Sequence, residues 1–329
     1  MKLHFPAYYH SFRCIAAACP DSCCKEWTVD VDPEAAAYYR TLSGDLGDRL
    51  RSVLKDTEDG AIMEIEQGRC PMWRQDGLCH IQAELGHDAL CQTCRDFPRL
   101  RHDYGDFVEL GLELSCPEAA RLILTSENAE LLSDEQPGGA EPEYDTGAMA
   151  LLLKSRKAAL DFLRDSPAPI PKKLSAILLY AHHIQAQLDG LDCDDVTPAD
   201  CLQLPAVADG DPEAVFAFFR ELEILTETWK NRLEQPPTEV QWSPELGALA
   251  QYLIQRYWLQ AISDYDLVCR VKLTVVSCLL VGALGGDVVQ TAQLFSKEIE
   301  NDPDNIEAIL DAAYSNHAFT DVNLLALLA

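Results

Sequence analysis

Four cysteines within eleven residues, Cys14, Cys19, Cys23 and Cys24, restrict what this chain can fold into more than any other feature. A second set comprises Cys70, Cys79, Cys91, Cys94 and Cys116. Short loops with two to four residues between thiols let several sulfurs converge on one ion or cluster without straining the backbone. The thiolate is the ligand, so such sites fill in a reducing compartment. The chain holds 13 cysteines, an odd number that disulfides explain poorly. The other four, Cys193, Cys201, Cys269 and Cys278, are scattered and are expected to be reduced core residues.

The metal is left open by the thiols alone. Four thiolates in a tetrahedron suit zinc, and they equally suit an iron–sulfur cluster. Neighbouring side chains rarely both reach one small ion. Either one of Cys23 and Cys24 is therefore spare, or the region carries two centres. A radical S-adenosylmethionine enzyme carries Cys-x3-Cys-x2-Cys. The run Cys14-x4-Cys19-x3-Cys23-Cys24 does not match it.

Charge narrows the partners. Fifty-four acidic residues stand against 26 basic ones, a formal net charge of -28. A field of that sign repels phosphate backbones, so no nucleic-acid partner is expected, and a lysine-bearing protein would be steered in. Residues 1–116 hold 12 basic and 20 acidic groups, and the remainder 14 and 34, so most of the acidity lies on the later part. The longest apolar stretch, Leu273 to Gly286, is shorter than the roughly 20 residues that span a bilayer. The N-terminal Met1-Lys2-Leu3-His4-Phe5-Pro6 lacks the apolar run of a signal peptide. A cytoplasmic protein without membrane partners is expected.

Patterning predicts an α+β, mostly α chain. Glu26–Val31, Ala61–Glu66 and Phe107–Leu114 alternate as strands. Asp32-Pro33 starts a helix over Glu34–Leu42, and Ser115-Cys116-Pro117-Glu118 opens another through Leu132. Residues 1–132 thus read as a cysteine-rich, metal- or cluster-binding α+β domain. Residues 133–147, acidic and rich in Gly and Pro, read as a linker or exposed loop, and 148–329 as a helical bundle of about six or seven helices. Val215, Phe219, Leu222, Leu225, Trp229 and Leu233 form one helical stripe, and Leu246, Leu249, Leu253 and Tyr257 another. Asp211-Pro212, Ser243-Pro244 and Asp302-Pro303 mark helix starts.

Four stretches together resemble the flagellin lysine-N-methylase family, which is related to zinc- or iron-chelating domains with a CxxxCxxCC-type motif. They are Phe12-Arg13-Cys14 through Cys23-Cys24-Lys25-Glu26-Trp27 with Val29-Asp30-Val31-Asp32; Cys70-Pro71-Met72-Trp73 with Asp76-Gly77-Leu78-Cys79-His80-Ile81-Gln82; Glu84-Leu85-Gly86 leading to Thr93-Cys94-Arg95-Asp96-Phe97-Pro98-Arg99; and Leu114-Ser115-Cys116-Pro117-Glu118-Ala119-Ala120-Arg121. They cover most of the first 125 residues. The resemblance implies methyl transfer from S-adenosylmethionine to flagellin lysines, with an iron–sulfur cluster, 4Fe-4S, or alternatively zinc. The matching thiols are Cys14, Cys19, Cys23, Cys24, Cys70, Cys79, Cys94 and Cys116. Cys91 lies outside the motif and ranks last.

The chemistry of such a reaction sets further expectations. A lysine must lose a proton before ordinary displacement, since its unperturbed pKa is about 10.4. Tyr8, Tyr9 and Tyr104 lie near the motifs as possible bases, or simply pack. No glycine-rich strand-to-helix turn offers a Rossmann-type donor site. Gly282-Ala283-Leu284-Gly285-Gly286 reads as a helix end. Arg95 and Arg99, with Arg101 and His102, are candidates to hold the donor carboxylate, or else they pair with Asp96, Asp103 and Asp106. His80 and His87 flank the thiols as mixed-site ligands or surface groups. The rival functions are a non-enzymatic zinc- or iron-binding module that recognises a partner, and a redox or metal sensor.

Overall fold

The computed structural model describes residues 1–202 and 209–329. Strands β1 (Lys2–Pro6), β2 (Val29–Val31), β3 (Leu54–Thr57), β4 (Gly60–Met63), β5 (Arg99–Asp103), β6 (Phe107–Leu112) and β7 (Leu131–Glu135) make two sheets. The larger runs β5-β6-β1-β7, with β1 parallel to β6 and the other pairs antiparallel. The smaller runs β2-β4-β3 and is antiparallel throughout. Its hairpin turns at Gly60 (φ +146), where an added Cβ would meet the Val31 carbonyl oxygen at 2.5 Å, so only glycine fits.

The first 125 residues also carry α1 (Pro33–Thr41), α2 (Gly44–Val53), α3 (His80–Leu85), α4 (Gln92–Asp96) and α5 (Pro117–Thr125). Asp32 caps α1 by accepting from the Ala35 N–H at 2.9 Å, and Pro33 comes next as the sequence predicts. Helix α5 stops at Thr125, well short of Leu132. The chain then returns as β7, whose Ser133, Asp134 and Glu135 pair with His4, Leu3 and Lys2. The expected linker therefore begins inside a sheet. Strand β7 is a mostly exposed edge, and its polar residues hide it from a hydrophobic pattern.

The remainder is helical: α6 (Thr146–Asp165), α7 (Ile170–Leu188), α8 (Pro212–Arg220), α9 (Glu227–Leu233), α10 (Pro244–Tyr257), α11 (Val268–Leu284), α12 (Val288–Phe295), α13 (Pro303–Ser315) and α14 (Asp321–Leu327). That is nine α-helices among the described residues, against the six or seven expected. One cause is a break in the stripe from Val215 to Leu233. The chain leaves α8 at Arg220, and Leu225 is 40% exposed. Helix α11 is mostly apolar and buried along its length, Arg270 and Lys272 included, the mark of a central helix. It absorbs the run from Leu273, and Gly285 and Gly286 (φ +68 and +79) turn the chain at its end. Among the described residues no helix is long and apolar enough to cross a membrane.

Packing divides the chain differently from the expected boundary at 133–147. Val29, Val31, Ala36, Tyr39, Leu50, Ala61, Met63, Cys70, Met72, Ile81, Leu90 and Cys91 form a small core of their own. Phe12, Phe107, Leu112, Leu114 and the buried face of α5 instead join the main core around α11. The cysteine-rich core therefore rests on strands and a helix that belong to the bundle.

Candidate functional site

Backbone pairing draws the cysteine segments together. The Cys70 N–H donates to the Cys24 carbonyl at 2.7 Å, and the Glu26 N–H to that of Gly68 at 3.2 Å. Trp73 bridges to Cys79, which leads into α3, while Cys91 leads into α4 and Cys94 lies within it. One carboxylate sets both neighbouring helices: Asp32 accepts from Ala35 and, through its other oxygen, from the Gln92 N–H at 2.8 Å. Tyr39 donates to the Ala89 carbonyl at 2.8 Å and fixes the approach to Cys91.

All thirteen cysteines are free thiols. Cys24, Cys79 and Cys94 pack against the small core in which Cys70 and Cys91 are buried, so thiols from separate segments are gathered there. Cys24 is pushed far up, while its contact pulls Cys23 and Cys70 down and Cys79 down to about 6. Cys91 and Cys94 act on each other, Cys91 being pulled down and Cys94 pushed up, and Cys94 also feels the charge of Cys23 and Cys79. Cys91, ranked last from the sequence, thus stands with the others, and its buried position beside α4 fits the Cys91-x2-Cys94 spacing. Cys14, Cys19 and Cys116 form a looser set, with burial raising Cys19 and lifting Cys116 to about 11. Gln293 holds two of their segments together, donating to Asp21 at 3.3 Å and to the Ser115 carbonyl at 2.7 Å.

These are gathered donors and not a closed coordination sphere. Among the described residues, no three Cys, His, Asp or Glu side chains stand ready around one ion. By donor chemistry the thiols fit a sulfur-ligated centre, since soft thiolates converge and a lowered thiol is more readily ionised. His80 lies 3.1 Å from Glu84 and His87 lies 3.7 Å from Asp88, each in a local pair. Cys201, Cys269 and Cys278 are buried and Cys193 half-buried, away from this set.

A cleft of about 590 Å3 opens beside the cysteine segments, and its walls include Trp27, Phe97, Arg99, Glu113, Arg256 and Lys297. Trp27 lies just after Cys23-Cys24 and donates to the Cys23 carbonyl at 3.1 Å, and Phe97 directly succeeds α4. Their rings stand 6.1 Å apart at 53°. The opposite wall is a π-helical turn, Ser296–Glu300, which widens the helix between α12 and α13 and buries Lys297, Glu298 and Glu300.

Lys297, 2% exposed, reaches back to Asp21 at 2.9 Å and Glu26 at 2.5 Å, and sits 5.1 Å from the Trp27 ring centre. Burial alone would lower this lysine, but the bonds to Glu26 and Asp21 outweigh it and hold it above its usual range. Glu26 has a left-handed backbone (φ +73), rare for a non-glycine residue. Arg256 donates to the Tyr252 hydroxyl at 2.6 Å and pairs with Glu300 at 3.4 Å. Glu298 accepts from the Leu225 N–H at 2.8 Å and from the Thr226 hydroxyl. Glu113 is half-buried, and among the described residues its carboxylate accepts only from the Ser115 hydroxyl, at 3.3 Å; burial raises its pKa, Arg256 opposing and Glu300 reinforcing the shift.

The basic residues separate. Arg99 lines the cleft, 5.2 Å from the Phe12 ring, whereas Arg95 is exposed near the end of α4 and outside the lining. Arg101 takes Asp103 at 2.8 Å, and Asp106 instead accepts from Tyr144 at 2.5 Å. Tyr8 is buried, Tyr9 packs on Phe5 and His10, and Tyr104 stacks on Phe107 at 4.7 Å, so all three pack. Lys297, Arg256, Glu300 and Glu113 escape sequence reasoning, because no local motif marks them.

A lysine-N-methylase of Salmonella typhimurium (strain LT2) is 33% identical over 137 residues, 40% of this chain and 34% of that protein. A lysine-N-methylase of Salmonella choleraesuis (strain SC-B67) is 33% identical over 140 residues, with the same coverage. The chain thus spans about a third of the length of these two relatives. The flagellar biosynthetic protein FliU of Salmonella muenchen is 32% identical over 138 residues, 40% of this chain and 82% of FliU. No family model and no solved structure matches the chain. With most of FliU covered at that identity and the cysteine segments in the expected order, the chain belongs to the flagellin lysine-N-methylase family.

Proposed function

We propose that the protein transfers a methyl group from S-adenosylmethionine to lysine side chains of flagellin, and that it depends on a cysteine-ligated iron–sulfur cluster. The observation that carries this is the convergence of thiols from separate segments beside a cleft of about 590 Å3 walled by aromatic and charged groups. The ligands are drawn from Cys23, Cys24, Cys70, Cys79, Cys91 and Cys94, with Cys14, Cys19 and Cys116 as a second set. Such a cluster, held by these thiolates, would supply Lewis-acidic or redox-active iron.

The chain's own residues do the rest. Arg99 offers a guanidinium to the donor's carboxylate. Trp27 and Phe97 shield one wall from water, and Lys297 holds the cysteine loop against the helical half. The excess of acid on the later part of the chain favours approach of a basic substrate.

A second reading, a structural zinc or iron module, draws support from Cys70 and Cys91, which are buried within the small core. Anaerobic purification and then iron, sulfide and zinc analysis separates the two. The proposal expects iron with sulfide, and lysine-specific methyl increments on flagellin given S-adenosylmethionine. Cys24→Ser should abolish both. Stoichiometric zinc without sulfide, or no increment above that variant, would reject the methylase reading.

A further inference from the structure

We infer that the cleft is the receptor for a lysyl side chain, with the methylenes against the corner formed by the Trp27 and Phe97 rings and the ammonium on the Glu113 carboxylate. This receptor deepens the methylase reading and depends on it only for the chemical step after binding.

Charge accounting within the cleft leads there. Arg256 is neutralised by Glu300, whose carboxylate also accepts from the Tyr257 hydroxyl at 3.0 Å. Lys297 is neutralised by Asp21 and Glu26. Glu298 is engaged by Leu225 and Thr226. Glu113 is left facing Arg256, Glu300 and Tyr252 with no ion pair of its own among the described residues, and its single side-chain partner is a hydroxyl at 3.3 Å. A half-buried carboxylate without a counter-ion at the wall of a cleft is a place for a cation from outside.

The rest of the cleft selects the kind of cation. Aromatic rings 6.1 Å apart at 53° make a corner that suits an alkyl chain and an ammonium better than a hydrated metal ion. The protein's own Lys297 already lies against the Trp27 ring beside carboxylates, the same chemistry in an internal example. Arg99, on the same lining, leaves a guanidinium for an anionic group at another part of the cleft. An ammonium and an anion can thus be held together, as transfer between lysine and an amino-acid-derived donor requires.

The test uses the full chain and three synthetic peptides that differ at one position: lysine, norleucine or acetyl-lysine. Titration calorimetry without methyl donor should show the lysine peptide binding about tenfold tighter than either neutral peptide, the size expected of a charge-assisted contact. Glu113→Gln should remove that preference, while Trp27→Leu should weaken all three peptides alike. On the unaltered protein, n-butylammonium should displace the lysine peptide and n-butanol should not, so a variant that fails to fold leaves the question answerable. Equal binding of lysine and norleucine peptides, or an unchanged preference in a folded Glu113→Gln protein, would overturn the inference. Lysine-selective binding without methyl incorporation from S-adenosylmethionine would instead leave the receptor standing and reject the methylase reading. Methylation with an unaltered KM in Glu113→Gln would do the reverse.

Discussion

Replacing Lys297 by methionine tests how the helical half holds the cysteine loop. Methionine keeps the stem and most of the volume, so the cavity contribution is small. What is lost is the cation between Asp21 and Glu26. Removing one partner of a fully buried pair costs about 3–5 kcal/mol, because a charge is stranded. Here the lysine is 2% exposed, but the side chains of Asp21 and Glu26 keep 24% and 33% of their surface, so water recovers part of the loss. About 2–3 kcal/mol is expected at pH 7. The pH window can be stated from the shifts. Lys297 is held above its usual range, so its share persists at neutral pH and fades only as pH rises through that raised value. Asp21 is lowered: burial opposes ionisation, but Lys297 outweighs it, so its share is lost only on acidification through the lowered value. Equilibrium urea unfolding at neutral pH measures the change. The triple variant Lys297→Met/Asp21→Asn/Glu26→Gln should recover much of it, since no charge is then stranded. A loss below about 0.5 kcal/mol, or a triple variant no more stable than Lys297→Met, would refute the account.

Two further predictions concern the support beneath the site. Glu109→Ala should destabilise the protein by about 3–5 kcal/mol in urea unfolding, because Arg156, whose side chain is 4% exposed, loses its bidentate carboxylate and among the described residues keeps only the Gln255 carbonyl at 3.1 Å. Asp321 is held below the usual carboxylate range first by His182 and then by Lys272, so its contribution is present above about pH 4 and lost on further acidification. Asp321→Asn should therefore flatten the acid limb of stability against pH, and an unchanged slope would count against the pairing.

What was legible in the sequence was local. Asp32-Pro33, Asp211-Pro212 and Asp302-Pro303 each start a helix with the aspartate accepting backbone N–H groups, because a cap needs only neighbours in the chain. Cys91, which the family motif sets aside, is buried beside α4 with two residues between it and Cys94, a placement that their spacing already suggests. The stripe from Val215 to Leu233 misled for a tertiary reason. Apolar positions stay in helical phase across a break that Asn305 and Glu298 stabilise by accepting from the N–H groups of Glu223 and Leu225 at 3.0 and 2.8 Å. Periodicity cannot register a partner that lies on another helix.

The cleft carries the same lesson further. The cysteine segments beside it are written in spacing, since two- to four-residue gaps let sulfurs come together. Its opposite wall depends on a π-helical turn whose Lys297 meets Asp21 across 276 residues of chain. Nothing in the local sequence Ser296-Lys297-Glu298-Ile299-Glu300 distinguishes that lysine from a solvated surface residue. Its burial against Trp27 arises only when α12 docks beside α5 and Gln293 reaches Ser115. Ligand types can thus be read from the sequence, while the cleft beside them becomes visible only when distant charges are seen paired, and one of them, Glu113, is seen without a counter-ion among the described residues.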